Sequence, residues 1–261
     1  NDEPQHIFQG EITLDLLNLL EINFIILDKN SEIENFLEII EESVSKKEQL
    51  AIVIKKNTFE SDSRSFNTSS SSTKRAFALE NIIRKFNGSS LFISTTGKLS
   101  RELYELRVKN GEDNDDFYVV GGMGHASAIA TGMLHEIHSK KIICLDGDGS
   151  ILMHMGHLSL VAKEHYKNFI HIVFNNSAHE SVGGQPNNYE IIDRNKLFEA
   201  LGYKENIFIK NISDIENYDF KNLVGPVYIE IEVENSSNKN LMRPDKPPVR
   251  NKESFIRKIH E

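Results

Sequence analysis

The sequence predicts an α/β protein, a mostly parallel sheet with helices on both faces. Three observations carry that prediction. Short apolar runs such as KIICLD and FIHIVF alternate with longer segments of helical periodicity, which is the rhythm of strand, crossover and strand. These runs are almost continuously apolar, as strands covered on both faces are. Glycine- and asparagine-rich turns follow the runs directly, at the carboxyl ends of the strands where such sheets bind ligands.

Taken in order, apolar residues first recur at helical spacing at Ile12, Leu16, Leu19 and Leu20, and NFIILD follows as a strand. Residues 32 to 48 repeat the helical pattern, with Ile33, Phe36, Leu37 and Ile40 on one face, and LAIVIKK is a second strand. Residues 1–60 therefore read as the end of an α/β unit. The stretch SDSRSFNTSSSSTK holds seven serines and almost nothing to bury, so 61–73 is expected to be a flexible linker. From residue 74 the order is a helix (KRAFALENIIRKF), a strand (SLFIST), a turn (TTGKLS), a helix (RELYELRV) and the strand FYVV. The acidic run Glu112 to Asp116 is expected to be a solvated loop. After the turn GGMGHASA come a helix through His138, the strand KIICLD, one helix over SILMHMGHLSLVAKEH and the strand FIHIVF. This section is assigned to 74–250, with 251–261 as a tail and the three prolines of RPDKPPVR making an extended closing strap.

Composition bounds the function. The chain has 261 residues and 39% hydrophobic content, enough for an ordinary core. Its 30 basic and 39 acidic residues give a net charge of −9, which argues against a general nucleic-acid binder. The single cysteine, Cys144, allows no intrachain disulfide and sits in an apolar run, so it reads as a core residue in a reducing compartment. No stretch approaches the roughly 20 apolar residues that cross a bilayer, and the start lacks the order of a secretory signal. A cytoplasmic protein without a membrane partner is expected. The opening Asn1 and the polar DEPQH read as the middle of a longer chain.

Asp148 follows the run KIICLDG, and Asn176 lies 28 positions on, after FIHIVFN. One helix plus one strand fills that interval, which is what a βαβ crossover between neighbouring strands needs. Parallel pairing then brings both side chains to one rim of the sheet. Magnesium takes oxygen ligands, usually one or two carboxylates or amides with phosphate and water, and these two residues fit it. Gly147 and Gly149 allow a tight turn, and the amides of Gly149 and Ser150 open a helix that attracts an anion. Read alone, a Gly-Asp-Gly is an ordinary turn. The second motif at crossover distance favours a metal and diphosphate site.

Those two motifs, together with STTGKLSRELYELR, GGMGHASAIATG and NNSAHESVGGQP, resemble the thiamine-diphosphate-dependent enzymes, and among them the phosphonopyruvate decarboxylases. DEPQHIFQGEITLDLL resembles the end of that family's pyrimidine-binding domain, so the likeness covers nearly the whole chain. It implies a thiamine-diphosphate-binding fold, with 1–60 the end of the pyrimidine-binding domain and 74–250 the diphosphate- and Mg2+-binding domain. It also implies that Mg2+ is held by the Asp148 carboxylate, the Asn176 side-chain oxygen and the Ala178 carbonyl. By the same likeness Gly121 bonds the aminopyrimidine and Met123 props the cofactor in a bent shape. Thr96 and Gly97 join the cofactor-binding set, and His125, His179 and Glu180 are candidate catalytic groups. The family's activating glutamate is implied to lie before Asn1. The cofactor is implied to sit between subunits of a homo-oligomer.

Each residue also has a plainer reading. Met123 alone is commonly a core gap-filler, loop histidines usually face solvent, and Lys98 is as readily a surface lysine as a partner for an anion. The loop at Gly183, Gly184 and Gln185 is a second candidate for the substrate's anionic group. His154 and His157 sit three apart, with His165 and His171 beyond, yet no cysteine or carboxylate completes a zinc set at recognisable spacing. The family reaction is decarboxylation of a 2-oxo acid, 3-phosphonopyruvate, to phosphonoacetaldehyde. Sulfopyruvate decarboxylation and a non-catalytic cofactor-binding fragment are the alternatives. A dinucleotide fold is weaker, because GGMG lacks the spacing and the ribose-binding acid.

Overall fold

The computed structural model describes residues 4–60, 66, 68–86, 88, 90–163, 166–236, 238 and 240–261. The chain divides into two compact units, Asn1–Arg64 and Ser65–Glu261.

The first unit is helix, strand, helix, strand: α1 (Pro4–Leu19), β1 (Asn23–Leu27), α2 (Ile33–Lys46) and β2 (Leu50–Ile54). The strands pair in parallel, Asn23 opposite Leu50 and Leu27 opposite Ile54. Two strands with two helices enclose little, because a sheet this small has no interior. No residue of α2 is buried, and Phe8, Leu19 and Val44 are exposed.

The second unit opens with α3 (Arg75–Phe86), β3 (Ser90–Ser94), α4 (Lys98–Lys109), β4 (Phe117–Tyr118), α5 (Ala126–Leu134), β5 (Lys141–Gly147) and α6 (Asp148–Met153). It goes on through α7 (Leu158–Lys163), β6 (Phe169–Asn175), the short β7 (Ala178–His179) and β8 (Gln185–Pro186), then α8 (Arg194–Ala200) and β9 (Glu205–Ile209). It ends with α9 (Ile212–Asn217), β10 (Val227–Glu232) and α10 (Pro248–His260). Six strands form one sheet in the order β4-β3-β5-β6-β10-β9, and every neighbouring pair runs parallel. Successive residues of β5 serve opposite faces. Ile143 and Leu145 join the core with α3, α4 and α9, whereas Ile142 and Cys144 join the core with α5, α6, α7, α8 and α10. This is the doubly covered parallel sheet that the apolar runs predict.

The direction of winding reverses between β3 and β5. From β3 the chain moves outward to β4 and then returns to place β5 on the other side. Such a reversal leaves a crevice beyond the strand ends.

Several sequence expectations need correction. The helix expected over 150–165 is broken at His154, whose backbone leaves the helical region. A 3₁₀ turn follows at Met155–His157 before α7 begins. The His154 ring instead packs on His125 at 4.1 Å between centroids. The helix expected through His138 ends at Leu134, and FYVV contributes only two strand residues.

The acidic run is not all solvated. Asp116 is fully buried, where Arg107 (2.7 Å) and Lys258 (2.9 Å) neutralise it. Nor is the C-terminal stretch a tail: residues 251–260, with the last three of the expected strap, form a helix. Pro248 starts α10, a position that tolerates proline because its missing N–H has no helical partner. Asn251 on that helix accepts the Tyr118 N–H (3.2 Å) and donates to the Asp116 carbonyl (2.8 Å), completing the edge of β4. Within the serine-rich stretch, Thr68 donates to the Asn176 carbonyl and Ser71 to the Glu232 carbonyl, so this part is tied to the second unit.

Candidate active site

β5 and β6 are hydrogen-bonded neighbours with Gly147 opposite Phe174, so their carboxyl ends share one rim. Asp148 begins α6 immediately after β5, and Asn176 follows β6. Both are nearly fully buried, at 3% and 4% exposure. A cavity at this rim is lined by Asp148 and Asn176 together with Thr96, Met123, Gly147, Gly149, Ser150, Ala178, His179 and Glu180. Of the residues singled out from sequence for cofactor, chemistry or substrate, Gly97, Gly121, His125, Gly183, Gly184 and Gln185 do not line it.

Each wall has a local cause. Thr95 leaves β3 on the near side of the crevice, and its hydroxyl bonds that of Ser150 at 2.9 Å, joining the two sides of the reversal point. Gly97 holds φ 98°, ψ −145° ahead of α4, a conformation open to glycine alone. Gly121 donates its N–H to the Thr96 hydroxyl (3.2 Å). Gly149 is small for a packing reason: a Cβ there would lie 3.1 Å from Met123 Cε and 3.4 Å from His179 Nδ1. Met123 and His179 therefore close over the glycine turn. His125 turns away, its Nδ1 3.0 Å from the Gly122 carbonyl.

The asparagine pair divides its labour. Asn175 Oδ1 accepts from the Ser177 N–H (3.0 Å) and hydroxyl (3.2 Å), holding Ser177 at φ 56°. That left-handed residue, unusual without a glycine, reverses the chain between Asn176 and Ala178. The Asn176 amide is fixed at both ends. Its Oδ1 accepts from the Ala178 N–H (3.1 Å) and its Nδ2 donates to Glu180 Oε2 (3.3 Å). Opposite Ala178 in the β7–β8 ladder stands Pro186, which has no N–H to give. Ala178 itself lines the cavity.

Asp148 is the strained charge of the site. Burial lifts its carboxyl from 3.8 to about 6, against the lowering by the Asn187 side chain and the Gly149 and Ser177 amides. Asn187 Nδ2 donates to Asp148 Oδ2 at 2.8 Å. A buried carboxylate with so little positive charge nearby is a ready ligand for a cation, which would hold it ionised.

Lys98 lines the cavity with its ammonium 3.0 Å from Glu180, and Arg75 reaches the same carboxylate at 2.7 Å. Sequence reasoning passed over Arg75 and Thr95, which line the cavity, and Ser177 and Asn187, which reach it through backbone or a distant partner; Asn175 was read only as half of a pair. The histidines expected on one helix face do not converge. His157 Nε2 pairs with the Ser127 hydroxyl (2.7 Å), and His165 lies outside the described residues. The fold does give His171 neighbours that spacing did not reveal, because Cys144 stands opposite it in the ladder. Ligand atoms of Cys144, Asp146 and His171 lie within 4.8 Å of one another, all fully buried, and His171 bonds the Tyr203 hydroxyl (3.0 Å).

Comparison with known proteins bears on this geometry. The profile described as "Thiamine pyrophosphate enzyme, C-terminal TPP binding domain" matches residues 96–231, a span holding nearly all of the cavity. The chain belongs to the thiamine pyrophosphate enzyme family. Within that family it is 30% identical to a phosphonopyruvate decarboxylase of Streptomyces viridochromogenes over 95% of its length, and 29% identical to one of Streptomyces hygroscopicus over the same share. It spans 66% and 65% of those two relatives. It is also 39% identical to the sulfopyruvate decarboxylase subunit beta of Methanocaldococcus jannaschii, over 43% of this chain and 57% of that one.

The residues present fit this family's cofactor. A carboxylate, an amide oxygen and a carbonyl oxygen are the hard donors that magnesium accepts. The glycine turn is open at Gly147, where a Cβ would meet nothing nearer than 4.0 Å, while Met123 and His179 cover Gly149.

Proposed function

We propose that this chain carries the diphosphate-binding half of a thiamine-diphosphate- and Mg2+-dependent decarboxylase acting on 3-phosphonopyruvate to give phosphonoacetaldehyde and CO2. The observation that carries this reading is the convergence of Asp148, Asn176 and Ala178 on one cavity. The likeness to phosphonopyruvate decarboxylases over 95% of the chain supports the substrate. The single cysteine is consistent with a cytoplasmic setting. No described helix is long and apolar enough to cross a membrane.

In this reading Asp148, Asn176 Oδ1 and the Ala178 carbonyl hold Mg2+, and the Gly149 and Ser150 amides face the diphosphate. Met123, packed over Gly149, supports the cofactor's bent shape. Bound thiamine diphosphate supplies the electron sink for the pair released as the carboxylate departs. Lys98, which lines the cavity, and the turn at Gly183, Gly184 and Gln185 are the groups offered to the substrate's anionic group. His125, His179 and Glu180 are the polar groups offered for proton handling, and His179 and Glu180 line the cavity. The aminopyrimidine end is completed by a pyrimidine-binding domain, in a homo-oligomer with the cofactor at the subunit interface.

The match to a sulfopyruvate decarboxylase subunit beta supports a second reading, in which the same site takes the sulfonate. Competition between the two acids, with turnover followed for each aldehyde, decides between them. A clear preference for 3-phosphonopyruvate is expected, and equal turnover would remove the claim of specificity.

A further inference from the structure

We infer that Arg75 is a positioning residue for the cation site, acting through Glu180 on the amide of Asn176. The inference rests on the cofactor reading above but concerns a residue that touches none of the proposed ligands directly.

Arg75 is 7% exposed, and its whole fork is used. Nε and Nη2 donate to the two oxygens of Glu102 at 2.7 and 3.0 Å, and Nη1 donates to Glu180 Oε2 at 2.7 Å. Glu180 Oε2 also takes the Asn176 Nδ2 (3.3 Å), while Oε1 takes Lys98 (3.0 Å). The contacts therefore run Glu102, Arg75, Glu180, Asn176, joining α3 and α4 to the turn that follows β6.

A buried ion pair is a poor device for stability, since burying its charges can cost more than their attraction returns. It is a good device for direction, because a guanidinium meets carboxylates in one plane. Direction is what Asn176 needs. An amide presents oxygen or N–H according to which way it is turned, and only the oxygen attracts a cation. With Nδ2 held by Glu180 and one lone pair of Oδ1 held by Ala178, the second lone pair is left for the metal. Glu180 can keep the amide turned only if it is itself held. Arg75 does so, and Glu102 in turn fixes Arg75.

Groups that orient metal ligands typically change metal affinity by about 10- to 100-fold when removed. The test is Mn2+ binding to the full chain with thiamine diphosphate, followed by electron paramagnetic resonance, alongside thermal unfolding of each variant. Arg75→Gln is expected to weaken Mn2+ by about 10-fold or more, and Arg75→Lys to recover part of that loss. A purely structural role would move the unfolding midpoint and leave the affinity of the folded protein unchanged. Where Arg75→Gln does not fold, Glu180→Gln carries the test, with the same weakening expected. Folded variants that bind Mn2+ as the parent does would overturn the inference while leaving the cofactor reading intact. A parent that holds no Mn2+ would overturn both.

Discussion

Asp148 concentrates the chemistry of the site in one ionisation. In the metal-free protein its carboxyl sits at about 6 instead of 3.8, because burial disfavours the charge. The folded state then holds the proton more tightly than the unfolded state. Stability is unaffected below pH 4, falls as pH rises from about 4 to 6, and keeps the full deficit above that. The deficit is on the order of 3 kcal/mol at 1.36 kcal/mol per pH unit. Asp148→Asn, neutral throughout and still able to accept from Asn187, is expected to be more stable than the parent in EDTA at pH 8. That advantage should shrink towards pH 4.5. Unfolding midpoints measured across that range check it, and a pH-independent difference would contradict it. Mn2+ binding is expected to vanish in the same variant, because the stabilising change removes the proposed ligand. The aspartate and the second asparagine were legible in sequence because two motifs stood one crossover apart. The first asparagine was legible only as half of a pair. Its work, holding Ser177 at positive φ, is a backbone event that no residue pattern announces.

Elements were legible where burial is uniform and illegible where polar groups are buried. The runs of β5 and β6 are apolar and became central strands. β10, beside β6, was not assigned from sequence, although VYIEIE alternates as a half-exposed strand does. Glu230 is nevertheless 1% exposed, its carboxylate held by Asn175 (2.9 Å), Tyr228 (2.5 Å) and Arg194 (3.0 Å). The break at His154 was equally hidden, since the ring that stabilises it belongs to His125, 29 residues away. The same lesson holds at the sheet edge. Asn251 does for β4 what another strand would, with one amide bonding two backbone groups. Asn251→Ala leaves both of those groups without partners at a buried site, at about 1–3 kcal/mol for each unmet group. Urea unfolding should show a destabilisation of roughly 2–6 kcal/mol with an unchanged slope. Mn2+ affinity should stay as in the parent, because β4 lies two strands from β5. A variant as stable as the parent would mean that water replaces the amide without loss.

At the scale of the molecule, the division at Arg64 and Ser65 separates two very different interiors. Both large hydrophobic clusters and every residue lining the cavity belong to Ser65–Glu261. The tethers from Thr68 and Ser71 fall inside that unit as well. Among the described residues of the first unit only Leu27 is a buried apolar residue, so this unit adds little of its own to the stability of the whole. Residues 65–261 produced alone are therefore expected to unfold cooperatively, near the midpoint of the full chain. They should bind Mn2+ together with inorganic diphosphate as the full chain does. Inorganic diphosphate is the right probe, because it tests only the end of the cofactor that Asp148, Asn176 and the glycine turn would hold. Titration calorimetry of both chains in matched buffer measures this. A fragment that folds but has lost the Mn2+–diphosphate affinity would show that residues before Ser65 complete the anchor. Equal affinity would locate the anchor wholly in the six-stranded unit.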